Sequence, residues 1–255
     1  MDITTPGGMV LAVAFILFGQ WLEGGHASSL VQLTALLIVG GGTLGAIVVA
    51  NPMSVLKNAV KMGLLCIKSV KDDRAEVSKM LLEMATLARK DGVLALEQKM
   101  ASVQDPFLKR ALGMVVDGVD RSVARDVLEA QAHHDFMHDA AGAKVWESAG
   151  GFCPTVGILG AVLGLIHVME NLSDPSKLGP GIATAFVATI YGVGLSNIVF
   201  LPMAAKIKIK LTAEKDRKAL ITEGVLGIQE GLSTGALQEK IMAYGGVVEG
   251  KGGGH

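Results

Sequence analysis

The chain has 255 residues, with 23 Lys and Arg against 24 Asp and Glu, and half of its residues are hydrophobic. Only 18% are charged and the mean hydropathy is +0.47, values that exclude an ordinary soluble domain built from short amphipathic segments. The net charge of −1 gives no basis for a nucleic-acid partner; what is informative is the asymmetry of charge along the chain.

Four blocks almost free of charge read as transmembrane helices: Pro6 to Leu22, Leu30 to Ala50, Gly150 to Leu172 and Pro180 to Ala205. A helix needs about 20 apolar residues to cross the hydrocarbon core, so the last three are long enough and the first leans on interfacial residues such as Trp21. Met1-Asp2 precedes the first block without a basic residue or a clear cleavage site after it, which argues against a removed signal. Of the 23 basic residues, 14 lie in 53–149 and 8 in 206–255, against only Lys177 in the 173–179 loop and none in 23–29. Basic residues near membrane ends stay on the cytoplasmic side, so the pattern predicts a membrane protein with both termini inside and two short outer loops.

The expected class is therefore an all-α membrane protein with four transmembrane helices, a helical cytoplasmic domain between spans two and three, and a C-terminal cytoplasmic helix. Its divisions are an N-terminal hairpin (1–52), the helical domain (53–149), spans three and four (150–205) and the C-terminal helix with its tail (206–255). Within 53–149, turns are signalled by Asp91-Gly92, Asp105-Pro106 and Asp117-Gly118. Asp105 has the character of an N-cap with Pro106 at the first helical position. A long helical pattern follows from about Arg121 to Glu147, with Trp146 at an interfacial position. Lys206, Lys208 and Lys210 read as a helix emerging from the membrane with snorkelling lysines, leading into a second amphipathic helix through about Gly231. Gly245 to His255 is glycine-rich and expected to be disordered. Cys66 and Cys153 are expected to stay reduced, without metal-ligand company.

Several motifs have plainer readings. Gly40-x-Gly42-x-x-Gly45 matches a dinucleotide fingerprint by letter, but it lies inside an apolar run, where small residues serve close helix packing. His134-Asp135-Phe136-Met137-His138 resembles a metalloprotease helix with Asp for Glu, yet lacks a third ligand and reads as a solvated face. His167 is ionisable within an apolar span, but near its outer end and beside Glu170, where a packing or interfacial role is favoured. Gly157, Gly160, Ala161 and Gly164 recur at helical spacing in span three, as do Gly181, Ala185, Ala188 and Gly192 in span four. The centres of spans two, three and four hold no Asp, Glu, Lys or Arg. If the chain forms an ion channel, a partner must supply the titrating carboxylate.

WLEGG (21–25), IVGGGTLGA (38–46), Asn51-Pro52, LARKDGVLALE (87–97), CPTVGILGAVLGL (153–165), LSDPSKLGPGIATAFVATIYGVGLSN (172–197), FLP (200–202) and ITEGVLGIQEG (221–231) together resemble the MotA/PomA family of flagellar stator subunits. The likeness covers roughly residues 1–245, in order. It implies a non-enzymatic motor subunit without a cofactor, arranged as five copies around two copies of a single-span B-type partner that carries the membrane aspartate. It further implies a rotor C-ring switch protein as the second partner. By the same resemblance Arg89, Lys90 and Glu97 fall on rotor-interface positions, Pro154 and Pro202 flank the channel spans, and Thr189 lies on the ion pathway. Ala161 stands where sodium-driven relatives tend to have Thr or Ser, so H+ is the expected ion and Na+ the alternative. Ser233-Thr234-Gly235 replaces the family's Asn-Pro, and Gly150-Gly151 lacks an acid that some relatives carry. Competing readings are a TolQ/ExbB-type subunit, a stator-like subunit of a gliding or anti-phage machine, and a scaffold or transporter.

Overall fold

The computed structural model describes residues 2–69 and 72–247, and every regular element among them is helical. Nine helices are named here in chain order. The first is α1 (Thr4–Leu22). A 3-10 turn (Ala27–Leu30) and two extended residues precede α2 (33–50), which contains a π-turn at Leu37–Gly41. Then come α3 (Met53–Ile67), α4 (Arg74–Asp91), α5 (Leu96–Met100) and α6 (Pro106–Val116). Two long helices follow, α7 (Arg121–Glu170) and α8 (Pro175–Gln229), and the last is α9 (Thr234–Ala243).

Four of these helices are long and apolar enough to cross a membrane. The sequence places span two from Leu30, but regular helix begins at Leu33, because Val31 and Gln32 are extended. The sequence reading of separate membrane and soluble helices also gives way to continuity. α7 runs unbroken through both the 121–147 pattern and the third span, and α8 through the fourth span and the 206–229 pattern. The prolines they contain, Pro154 in α7 and Pro180 and Pro202 in α8, do not interrupt either helix.

The helices cluster into two compact units, residues 1–69 with 139–209 and residues 70–138 with 210–255. These do not follow the sequence divisions at 52, 149 and 205: α3 and residues 139–149 group with the spans. The reason is specific packing. The Trp146 indole N–H donates to the Ala59 carbonyl at 2.8 Å, the ring packs against Phe200, and a Cβ on Gly63 would collide with it. The Cys66 thiol donates to the Met203 carbonyl at 3.3 Å. Both cysteines are buried thiols outside any disulfide. The lysines after span four do not simply snorkel. Lys206 pairs with Asp2 at 2.8 Å and donates to the Thr4 and Thr5 hydroxyls, and Lys208 pairs with Glu147 at 2.7 Å.

The second unit has an ordinary apolar core, centred on Leu81, Leu96, Leu108, Leu112, Leu128, Leu220, Ile221, Leu237 and Ile241. As the sequence indicates, Asp105 caps α6, its carboxylate accepting from the amides of Phe107 (2.7 Å) and Leu108 (2.9 Å), with Pro106 at N1. Ser233 caps α9, accepting from the Ala236 amide at 3.2 Å, which fixes the loop whose family pattern differs. Arg217 joins three segments by pairing with Asp73 (2.7 Å) and Asp105 (2.5 Å). Buried Glu223 pairs with Arg125 and with Lys240 (2.8 Å). Asp135 is held by Lys218 at 2.6 Å, and among the described residues no cluster suited to a metal forms around the neighbouring histidines. The expected disorder of the glycine-rich tail falls mainly on 248–255, outside the described residues.

Candidate functional site

In the span-bearing unit the small residues of α7 and α8 meet directly. A Cβ on Gly157 would lie 3.0 Å from both the Ala188 carbonyl and the Gly192 Cα, one on Gly160 2.8 Å from Ala188, and one on Gly164 2.8 Å from the Ala185 amide. Span two closes on the same pair: a Cβ on Gly42 would lie 2.7 Å from Val156, and one on Gly160 3.2 Å from Ile38. Of the apparent dinucleotide motif, Gly42 thus sits in a helix-packing surface, whereas Gly40 and Gly45 meet no other helix there, contrary to the packing role the sequence suggests for all three.

This register decides which candidate residues share a level. Gly160 opposes Ala188, so Ala161 and Thr189 lie side by side along the antiparallel pair, both half-buried. The Thr189 hydroxyl donates to the Ala185 carbonyl at 3.3 Å. Pro154 lies seven residues from Ala161, about 10 Å along the helix. Pro202 lies thirteen residues from Thr189, about 20 Å away, at the far end of the span. The structure therefore groups Ala161 with Thr189 and leaves Pro202 apart from them.

Each proline has a local accommodation that the sequence reading missed. Pro154 has no N–H, so the Gly150 carbonyl one turn earlier loses its helical donor. The buried Ser196 hydroxyl donates to that carbonyl at 2.6 Å. Pro202 is preceded by a π-turn at Leu195–Phe200, which widens the helix where the pyrrolidine ring would press on the preceding turn. Thr155 follows Pro154 with an exposed side chain whose hydroxyl donates to the Phe152 carbonyl at 2.7 Å. A hydroxyl beside the proline was the available signal. Tyr191 is a further omission: its hydroxyl donates to the Leu30 carbonyl at 2.6 Å and accepts from the Gln32 amide at 3.2 Å, holding the extended residues before α2.

From Gly150 to Val168 and from Leu178 to Ala205 there is no Asp, Glu, Lys or Arg. This surface offers hydroxyls, carbonyls and apolar walls, and no carboxylate to carry a proton. His167 lines a separate cavity of about 310 Å³ with Thr34, Ile38, Leu163, Gly164, Pro180, Gly181 and Thr184.

In the second unit α4 ends at Asp91 and Gly92 turns the chain at φ 86°, a conformation that suits glycine. Arg89 and Lys90 stand on one side of the turn and Glu97 on the other, all exposed and, among the described residues, without an ion-pair partner. Between them Leu94 is 72% exposed. Sequence reasoning passed over it because one leucine in a charged segment has no distinguishing pattern.

Comparisons with known proteins find relatives over nearly the whole chain. The profile of the MotA/TolQ/ExbB proton channel family matches residues 99–219, and that of the motility protein A N-terminal region matches residues 7–92. Motility protein A of Helicobacter pylori is 36% identical over 246 residues, covering 96% of this chain and 95% of that protein. Among solved structures, the C. jejuni MotAB chain superposes with a TM-score of 0.91 at 33% identity, covering 96% of each chain. The flagellar MotAB stator complex of Bacillus subtilis gives 0.86 at 34% identity, over 94% of this chain and 95% of that one.

Proposed function

Because the chain belongs to the MotA/TolQ/ExbB proton channel family, with motility protein A as its full-length relatives, we propose that it is the A subunit of a flagellar stator. It spans the inner membrane several times, with both termini in the cytoplasm, and conducts the ion that drives rotation. The observation carrying this reading is the nearly full-length match to a MotAB chain in a molecule whose spans three and four hold no carboxylate from Gly150 to Val168 or from Leu178 to Ala205. An ion path needs a titrating group, so the acid comes from a single-span B-type partner. Five copies of this chain surrounding two copies of the partner is the arrangement the resemblance implies.

Ala161 and Thr189 form one level of the wall facing the partner's aspartate, with Pro154 and Thr155 at the next. Only Thr189 and Thr155 bring side-chain oxygen there. A sodium ion sheds water and needs several oxygen ligands in return, whereas a proton needs only the carboxylate and a water route. The apolar Ala161 therefore favours H+. Arg89, Lys90 and Glu97, with Leu94 between them, form the surface for a rotor C-ring switch protein, and pairs this exposed suit contacts made and broken repeatedly. No enzymatic step is assigned. The test is swimming speed across sodium concentrations at fixed pH and membrane potential. Speed indifferent to sodium and abolished by a protonophore supports the proton reading, and speed that vanishes without sodium overturns it.

A further inference from the structure

α3 has a two-part exposed face that none of these roles uses. Its sequence, MSVLKNAVKMGLLCI, contains no acidic residue. Asn58, Ala59, Met62, Gly63 and Cys66 are buried. At about 100° per residue the opposite side orders Ile67, Val60, Met53 and Leu64 in one sector and Lys57 and Lys61 in the next. Met53 is 64% exposed, Val60 65% and Leu64 66%. Lys57 and Lys61 are exposed and, among the described residues, make no ion pair.

The position of this helix is fixed by its contacts. The Thr5 hydroxyl donates to the Cys66 carbonyl at 3.1 Å and the Asp2 amide to the Ile67 carbonyl at 2.8 Å, which joins α3 to the start of span one. Span two ends at Ala50, just before it, and Met203, at the end of span four, accepts from Cys66. α3 thus lies at the end of the bundle where spans one, two and four meet the same membrane face. A helix there, apolar on one sector and lysine-rich on the adjoining one, has the pattern of an interfacial helix. Its apolar side chains enter the acyl boundary while its ammonium groups reach headgroup phosphates.

We propose that Lys57 and Lys61, beside the Met53–Val60–Leu64 surface, form a binding site for anionic phospholipid headgroups. The absence of any acid on the helix makes the site selective for anionic over zwitterionic lipid. The proposal rests on the spans alone and stands or falls apart from the stator assignment, since motility is not its readout.

The purified full-length chain is placed in nanodiscs of phosphatidylethanolamine with phosphatidylglycerol. Two quantities are read: quenching by nitroxide-labelled lipid of a bimane on Val60→Cys, and the phosphatidylglycerol retained on purification. Cys66 and Cys153 are buried and leave the label on residue 60. Quenching at residue 60 is expected. Phosphatidylglycerol retention should fall on the order of tenfold in Lys57→Gln/Lys61→Gln. It should hold in Lys57→Arg/Lys61→Arg and in the control Lys79→Gln/Lys99→Gln. An unquenched label, a cross-link between two copies through residue 60, or unchanged retention in the Gln pair overturns the proposal.

Discussion

The hydroxyl of Ser196 donates to the carbonyl of Gly150 at 2.6 Å, the carbonyl that Pro154 leaves without an amide donor. Both groups are buried in the span-bearing unit, so the bond replaces a lost helical one and ties span three to span four beside the proline. Ser196→Ala should cost about 1–3 kcal/mol by leaving that acceptor unsatisfied. The complex should melt earlier, while Ser196→Cys, which retains a weak donor, should lose less. Thermal unfolding of the purified complex checks this.

The Gly157–Gly192 contact leaves no room for a side chain, since a Cβ on Gly192 would lie 2.8 Å from the Cys153 carbonyl and 2.9 Å from the Gly157 Cα. Those atoms are backbone and cannot swing aside. Gly192→Val should force the two spans apart at about 1–3 kcal/mol or more. Gly194→Val, at a position with open space around its Cβ, should be tolerated. Assembly with the partner in membranes, read by co-purification, distinguishes the two.

Ion pairs add to the apolar core of the second unit. Burial raises the Glu223 carboxyl, but Lys240 and Arg125 outweigh it and hold the group below its ordinary range. Asp105 behaves alike: burial raises it, and the Leu108 amide, Arg217 and the Phe107 amide more than reverse this. A carboxyl depressed by folding stabilises the fold above its unfolded pKa of about 4, and that stability is lost as pH falls through the folded value. The unit should therefore be indifferent to pH near neutrality and lose stability in acid. Arg217→Met, which strands Asp73 and Asp105, should cost about 3–5 kcal/mol at neutral pH. Circular dichroism melts across pH measure both effects.

At the Gly92 turn, Arg89→Glu or Glu97→Lys should reduce rotation without changing membrane levels or ion leak, because neither side chain has a partner among the described residues to lose. Leu94→Ala should weaken the same contact by on the order of 1–2 kcal/mol if the leucine is covered on docking. Stator residence at the rotor, followed by fluorescence, reports this directly. Unaltered residence in all three variants would assign these residues to a solvated surface.

Much of this architecture was legible in the sequence, because long apolar runs and basic flanks follow directly from the cost of burying charge. The Asp105 cap and the Gly92 turn were legible for equally local reasons. The unbroken α7 and α8 were not, since the amphipathic and apolar stretches read as separate helices divided at 149 and 205. What permits continuity is a hydroxyl 46 residues away in one case and a π-turn in the other. Ser196, Tyr191 and Leu94 carry no local signature: the first two matter through long-range hydrogen bonds and the third through exposure. Trp146 was read as an interfacial anchor, but its indole bonds to α3, a contact that only the folded chain reveals.

The most direct measurement of the central claim is rotation of tethered cells that lack their own stators and express this chain with its single-span partner. The account predicts that rotation returns in discrete steps as units engage, disappears when the partner's membrane aspartate is changed to asparagine, and stops with a protonophore at constant sodium. Both proteins present together in the membrane, with the rotor intact and no rotation, would contradict it.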